Sequence, residues 1–139
     1  MLSGILEGFL KQVNDRLRRL TEGTYHIHLA PAPEMTLLCC VNGGIFLPLK
    51  LLSKSEQLRV GIAINETLSS AVGLKFLAID EADMLDQENR DLLAEMLLDL
   101  AGEFDQVLVF TTVGDIPPQN PNLPGVKMFW VEDGTVHEL

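Results

Sequence analysis

Two short apolar segments on either side of one helix constrain the fold of this chain most. Residues 75–79, KFLAI, and residues 106–112, QVLVFTT, are built around apolar runs that favour buried strands. Between them, residues 87–101 carry leucine and methionine at helical spacing, and Gly102 closes that helix. This order predicts a right-handed crossover between two parallel strands, in a sheet covered on both faces.

The first part of the chain predicts a helix followed by antiparallel strands. Residues 2–20 carry apolar side chains at helical intervals and end in an arginine-rich turn, which complements the helix dipole. TYHIHLA at 24–30 and TLLCCV at 36–41 are typical of strands. The Asn-Gly-Gly turn at 42–44 then predicts a hairpin return through IFLPL, because Asn-Gly supplies the positive backbone angles of tight turns.

Three further segments complete the α/β pattern. A helix is predicted from about Ser55 to Val72 and is closed by Gly73. The proline-rich segment GDIPPQNPNLPG is predicted as a loop, and a last hairpin is predicted to turn at Asp133-Gly134.

Composition limits the class of protein. A chain of 139 residues with 47% hydrophobic content fits one domain with a proper core, here predicted over residues 1–139. The net charge of −10 argues against a broad grip on nucleic-acid phosphates by this chain alone. No apolar run approaches the roughly 20 residues of a membrane span and no signal segment precedes the first helix, so a cytoplasmic location is expected.

An acidic pair directly follows the first apolar strand. Asp80 and Glu81 end FLAIDE, and parallel sheets place their ligands at the carboxyl ends of their strands. In phosphoryl transfer to water, an Asp at this edge holds magnesium, and the next acid polarises the attacking water. The alternative interpretation is a solvated turn that merely marks the end of a buried strand.

A second motif lies upstream of the acidic pair. Ser53 and Glu56 have the S-x-x-E spacing of a capping box, which satisfies free backbone N–H groups where a helix begins. Such an N-terminus also favours anions. The motif therefore predicts a capped helix and allows a phosphate site at the same place.

Together these segments resemble the C-terminal half of an ABC-type ATPase head. LSKSEQ, FLAIDE, MLD and VLVFTT follow the order of the signature, the Walker B strand, the D-loop and the next strand, and LTEGTYHIHL at 20–29 is similar to the strand after the coiled coil. The closest likeness is to the structural-maintenance-of-chromosomes and SbcC-type DNA repair ATPases. The resemblance implies a mostly parallel sheet core with flanking helices, a coiled-coil stub at 2–20, antiparallel strands at 24–49 and the signature lobe at 51–139.

The resemblance also accounts for a missing motif. The sequence contains no Gly-Lys pair, so the phosphate loop G-x-x-x-x-G-K-[ST] is absent. In this family that loop belongs to an N-terminal lobe beyond the coiled coil, so the chain is expected to be a fragment or to meet a partner chain that carries it. The resemblance implies three further partners: a second head in an ATP-sandwiched dimer, DNA through the full assembly, and a nuclease subunit. It also implies association with the nucleoid in a bacterium, and it implies no membrane partner.

Carried over to this sequence, the family pattern assigns roles to individual residues. Asp80 is the magnesium-side acid, Glu81 is the catalytic base, and Ser53 is the signature serine that reaches the γ-phosphate of ATP on the opposite head. Asp86 matches the D-loop aspartate and is equally a plausible N-cap for the helix that begins at Gln87. ATP and magnesium are the implied cofactors.

Three departures from the family pattern support a second hypothesis. The resemblance places Lys54 and Ser55 at the nucleotide, in place of two family glycines whose backbone approaches phosphate closely. The segment from Glu81 to Asp86 is one residue shorter than the usual D-loop spacing. Thr112 replaces the switch histidine of the family, and its hydroxyl can bond a phosphate but cannot carry a positive charge as histidine can. The alternative function is a non-hydrolysing interaction module with a degenerate nucleotide site.

Other features favour simpler interpretations. DEAD at 80–83 matches a helicase motif, but a helicase core needs its own phosphate loop and about twice this length. His26 and His28 share a strand face without an apparent third metal ligand. The adjacent Cys39 and Cys40 should point to opposite faces as reduced residues, and the aromatic pair at 129–130 is either a partner anchor or hairpin packing.

Overall fold

The computed structural model describes residues 2–31, 33, 35–116, 119–120 and 122–139. Within these residues the helices are α1 (Leu2–Leu20), α2 (Lys54–Ala71) and α3 (Gln87–Asp99). The strands are β1 (Tyr25–Leu29), β2 (Leu37–Val41), β3 (Phe46–Pro48), β4 (Phe76–Ile79), β5 (Gln106–Val109), β6 (Phe129–Glu132) and β7 (Thr135–Glu138). Short 3-10 helices cover Leu49–Leu51 and Ala82–Met84.

The strands form three small sheets. β1, β2 and β3 are antiparallel in that order, β4 pairs with β5 in parallel, and β6 pairs with β7 as a hairpin. Both predicted turns are confirmed: Asn42 and Gly43 have φ of 52° and 69°, and Asp133 and Gly134 have φ of 47° and 75°. The predicted strand, helix and parallel strand are likewise present, with α3 as the crossover.

The parallel part of the fold is smaller and less covered than its sequence predicts. On β4, Leu77 and Ile79 are buried against α2, whereas Phe76 on the other face is 39% exposed. Val109 on β5 is 45% exposed. The prediction of a sheet covered on both faces is therefore wrong for the described residues. The predicted parallel core is present as a single pair of strands, beside two antiparallel sheets.

One buried cluster joins the helices to the first two sheets. α1 packs against α2, α3 and β1, so the first helix is part of the core. Cys39 is fully buried while its neighbour Cys40 is half-buried, and both are free thiols, as the alternation of strand faces predicts. In the described part of the chain, the least exposed apolar residues are Val13, Leu17, Leu20, Ile27, Cys39, Val60, Ala63, Leu85, Met96 and Leu100.

An asparagine of α1 pairs with the open edge of the first sheet. Asn14 Nδ2 donates to the Ile27 carbonyl at 3.0 Å, and the Ile27 N–H donates to Asn14 Oδ1 at 2.8 Å. Because β1 is an edge strand, these backbone groups would otherwise be available to another strand. One amide side chain thus docks α1 and blocks part of that edge.

A buried ion pair connects α1 with α2. The Arg16 guanidinium donates through Nε to Glu66 Oε2, and Glu66 is fully buried on α2. Among the described residues, no group donates to the second carboxylate oxygen, Oε1. Removing the arginine would therefore leave a buried charge without a partner.

The remaining sequence features lie on the surface. His26 and His28 are exposed and flank the Phe46 ring, with centroid distances of 6.3 and 5.9 Å. In the last hairpin, Phe129 is 52% exposed, and half-buried Trp130 donates from Nε1 to Glu132 Oε2 at 3.2 Å. The predicted proline-rich loop is irregular where it is described, and its residues 117, 118 and 121 lie outside the described part. None of the described helices has the length and apolarity needed to cross a bilayer.

Candidate functional site

The acidic pair lies at the carboxyl end of β4, as its sequence predicts. Asp80 and Glu81 follow the last residue of the strand and are exposed. The Phe110 N–H donates to the Ile79 carbonyl at 2.8 Å, and the Ala82 N–H donates to the Phe110 carbonyl at 3.1 Å. These bonds continue the pairing with β5 past the acidic pair, so the two carboxylates start from a fixed backbone.

The backbone at Glu81 is in the left-handed region. Its φ and ψ are 57° and 32°, and its N–H donates to Asp80 Oδ1 at 2.8 Å. A residue with a Cβ adopts this conformation at a cost of about 1–2 kcal/mol, and such residues cluster at functional sites. This conformation turns the backbone sharply after Asp80, and both acidic residues lie at the carboxyl end of β4.

The N-terminus of α2 carries the predicted capping box. Ser53 Oγ accepts from the Glu56 N–H at 3.3 Å, and the Ser53 N–H donates to Glu56 Oε2 at 2.7 Å. The hydrogen bond from the Ser53 backbone N–H and, to a smaller extent, the Ser53 side chain lower the pKa of the Glu56 carboxyl. The helix start is therefore held by its own side chains.

Replacing Ser53 by alanine is expected to lower the free energy of unfolding by about 1 kcal/mol, because the Glu56 N–H loses its acceptor. Glu56→Gln is expected to destabilise the chain at neutral pH only. Since the folded state lowers the pKa of Glu56, its contribution is present above the ordinary carboxyl pKa of about 4.3 and is lost as the pH falls below it. Urea denaturation of both variants at neutral pH and at acidic pH measures these changes. A Glu56→Gln difference that is the same at the two pH values would contradict the prediction for Glu56.

A cleft joins the start of α2 to the end of β4. Its volume is about 280 Å³, and it is open to solvent on one side. Lys54 from α2 and the pair Asp80 and Glu81 line it, together with Gln57 and Asn65 of α2. The side-chain amide of Gln57 donates to the Leu52 carbonyl at 2.7 Å. The structure thus brings one cation and two carboxylates to a space that could hold part of a phosphate group and its metal ion.

Magnesium suits the oxygen chemistry of this edge. Among the described residues, no group of three metal-ligating side chains occurs. A nucleotide-associated magnesium ion needs only one or two carboxylates, because phosphate and water supply its other ligands. Asp80 has one oxygen bonded to the Glu81 N–H, so its other oxygen is the one that could serve as a ligand for such an ion.

Four of the residues selected from the sequence do not line the cleft, and one of them is Ser53 at the start of α2. Asp86 caps α3, accepting from the Asn89 N–H at 2.9 Å, which confirms its N-cap interpretation. Thr112 follows β5 and its N–H donates to Asp83 Oδ1 at 3.1 Å. Ser55 is also absent from the cleft lining, and its carbonyl accepts from the side chain of Arg59 at 3.4 Å.

Sequence reasoning missed the side chains that tie these loops together. Asp83 holds Thr112, while Asn89 and Arg59 connect Asp86 to α2. Asn89 carried a recognisable signal, since the third position after an N-cap commonly donates to it. Neither spacing nor composition indicated that Arg59 would reach across to α3.

The arrangement of helices and strands in this chain has counterparts among solved structures. An SMC ATPase (structural maintenance of chromosomes), from work on ATP-driven dimerization and DNA-stimulated activation, matches 99% of this chain over 86% of its own length. The TM-score is 0.70 at 13% sequence identity. The chain has the fold of an SMC ATPase head.

Other SMC heads show how much of a head this chain represents. An Smc head bound to the C-winged helix domain of ScpA matches 96% of the chain over 42% of its own length, with a TM-score of 0.68 at 18% identity. The SMC head domain from Thermotoga maritima matches 94% over 46%, with a TM-score of 0.59 at 20% identity. The chain therefore spans less than half the length of these two SMC heads. No family profile and no curated protein sequence matches it.

Proposed function

We propose that this chain is the second lobe of a coiled-coil ABC ATPase head. The acidic pair at the carboxyl end of β4 carries the proposal, because Asp80 and Glu81 lie exposed on one cleft within the SMC-head fold and suit a nucleotide-bound metal ion. In this assignment α1 is the stub of the returning coil, residues 24–49 form the small antiparallel region, and residues 51–139 form the signature lobe. The whole chain is one domain.

The exposed apolar residues of the β4–β5 sheet support completion by a first lobe. Phe76, Val109, Phe110 and Val113 are between 39% and 51% exposed and lie along or just beyond these two strands. Each strand also has one unpaired edge in this two-stranded sheet. Exposed apolar strands of this kind mark an interaction surface, and the proposed partner is the lobe that carries the phosphate loop.

In the completed head, the acidic pair is assigned to the chemistry of ATP hydrolysis. Magnesium would supply charge neutralisation at the phosphates, with Asp80 as its ligand directly or through water. Glu81 acts as the base that takes a proton from the attacking water. Its left-handed backbone holds the carboxylate next to Asp80 but leaves it exposed on the cleft, where water has access.

The start of α2 is assigned to the opposite head of a dimer. Ser53, with Lys54 and Ser55, would contact the γ-phosphate of ATP held by that head, where the helix dipole favours negative charge. The SMC ATPases of one neighbouring structure dimerise with ATP and respond to DNA. By extension, this chain acts in a paired-head DNA repair or chromosome-maintenance ATPase with DNA and a nuclease subunit as partners, and its D-loop aspartate and Thr112 adjoin the same interface.

A second candidate function is a non-hydrolysing module of the same fold. The Glu56 carboxylate already accepts the Ser53 N–H, and Lys54 and Ser55 carry side chains where glycines would leave room. A phosphate at this helix start must therefore compete with an internal carboxylate. In this alternative the surface binds a protein partner irrespective of nucleotide.

Calorimetric titration of Mg-ATP tests the division of the site. We expect no binding heat with this chain alone and saturable binding once the matching first lobe is added, because the phosphate loop belongs to that lobe. Tight binding by the lone chain would mean that it holds a complete phosphate site and would contradict the proposed function. Absence of binding in the mixture would favour the non-hydrolysing module.

A further inference from the structure

One arginine of α2 connects three elements near the candidate site. Arg59 Nη2 donates to the Tyr25 hydroxyl of β1 at 2.5 Å, and Nη1 donates to Asn89 Oδ1 of α3 at 2.7 Å. The guanidinium carbon also lies 4.5 Å from the centroid of the Tyr25 ring, within the range of a cation–π contact. Since Tyr25 is only 6% exposed, the arginine is held by a fixed partner.

The contact with Asn89 determines how Asp86 is held. Because Asn89 Oδ1 accepts from Arg59, its Nδ2 faces the other way and donates to Asp86 Oδ1 at 2.8 Å. The same carboxylate oxygen accepts the Asn89 N–H at 2.9 Å. These two bonds lower the pKa of Asp86, and the positive charges of Arg59 and Arg90 add to the effect. The orientation of the Asn89 amide, and with it one bond to Asp86, thus depends on Arg59.

The network links the start of α2 with Asp86, both of which the proposed function assigns to the interface with the second head. Arg59 lies six residues after Ser53 on a continuous helix, so its position relative to the start of α2 is fixed. Asp86 ends the segment 80–86, here called the acidic loop, whose first residues are the acidic pair. A planar guanidinium with several donors is well suited to fix two such segments at once.

We propose that Arg59 is a positioning residue, which sets the acidic loop in a fixed geometry relative to the start of α2 by orienting Asn89 against Asp86. Its consequence for head pairing rests on the proposed function, because both segments would contact the opposite head. Its consequence for the loop itself does not depend on nucleotide. The two consequences are measured separately.

The variant Arg59→Lys keeps the positive charge but loses the planar fork of donors. Arg90→Lys is the matched control, because Arg90 is exposed, acts on Asp86 by charge and donates to Gln87 Oε1 at 3.4 Å. Hydrogen exchange of the Asn89 backbone amide, measured by NMR on this chain, reports the cap directly. We expect exchange about tenfold faster in Arg59→Lys and unchanged in Arg90→Lys.

Head pairing is measured with the first lobe present, by the ATP-dependent dimer dissociation constant. We expect Arg59→Lys to weaken pairing about tenfold while the Mg-ATP affinity of the unpaired head stays unchanged, a split that general destabilisation would not produce. Asn89→Ala is the second variant, to be used if Arg59→Lys fails to fold, because it removes the contact with Arg59 from the side of α3. It should also weaken pairing while the Mg-ATP affinity of the unpaired head stays unchanged.

Unchanged Asn89 exchange in Arg59→Lys would overturn the inference. Faster exchange with unchanged pairing would overturn its role in the dimer. If exchange is faster but the parent protein never pairs with ATP, the positioning role stands and the proposed function fails.

Discussion

Glutamine in place of Glu81 is expected to slow ATP hydrolysis by the completed head about 10²- to 10⁴-fold, the usual contribution of a general base. Glutamine is nearly the same size as glutamate but cannot take a proton from water. Binding of Mg-ATP and ATP-dependent pairing should persist, since Asp80 and Ser53 are unchanged. Steady-state phosphate release and size-exclusion chromatography with ATP measure the two properties on the same preparation.

A second carboxylate separates this effect from loss of negative charge. Glu103 is exposed and follows the end of α3 away from the cleft, so Glu103→Gln should hydrolyse ATP as the parent does. Equal activity of the parent and Glu81→Gln would remove Glu81 from the base assignment. If neither the parent nor the variants hydrolyse ATP, the non-hydrolysing module is favoured.

Replacing Arg16 by methionine is expected to lower the free energy of unfolding by about 3–5 kcal/mol, the range for breaking one side of a buried ion pair. Glu66 is fully buried, and among the described residues its second oxygen already has no donor. The double variant Arg16→Met with Glu66→Leu should recover most of this loss, because it leaves no buried charge behind. Urea denaturation at neutral pH measures the free energy of unfolding of the parent, of Arg16→Met and of the double variant.

The chain offers an exposed ion pair on the same helix as a control. Arg18 contacts Asp15 at 3.2 Å with 70% of its side chain exposed, so Arg18→Met should change the free energy of unfolding by less than about 1 kcal/mol. A similar loss in Arg16→Met and Arg18→Met would mean that burial does not determine the strength of the Glu66 pair. Failure of the double variant to recover stability would assign the loss to packing of the arginine side chain.

Local signals accounted for most of the secondary structure. The Asn-Gly and Asp-Gly turns, the capping box and the apolar runs depend on neighbouring residues, so their outcomes follow from short segments of sequence. The coverage of the β4–β5 sheet was predicted wrongly. Apolar strands indicate that both faces of a sheet are buried, but they do not indicate whether the same chain or a partner chain covers each face. Phe76 and Val109 are apolar and yet exposed in this chain.

The candidate site was predictable only where its residues are close in sequence. Asp80 and Glu81 follow one strand, and Ser53 with Glu56 forms one cap, so each pair could be recognised separately. That Lys54 would share a cleft with the acidic pair depends on how α2 packs against β4. Glu66 did carry a weak signal, since it stands one helical turn after Ile62 on the buried side of α2.

The paired hydrogen bonds between Asn14 and Ile27 have a mechanical consequence. Sliding α1 along its axis by one residue would move Asn14 about 1.5 Å and separate both bonds together. A pull applied to this helix is therefore carried into the backbone of β1, and from there through the antiparallel ladder towards β3 and the start of α2. The two hydrogen bonds of Asn14 are therefore one route by which a force on α1 reaches the first sheet.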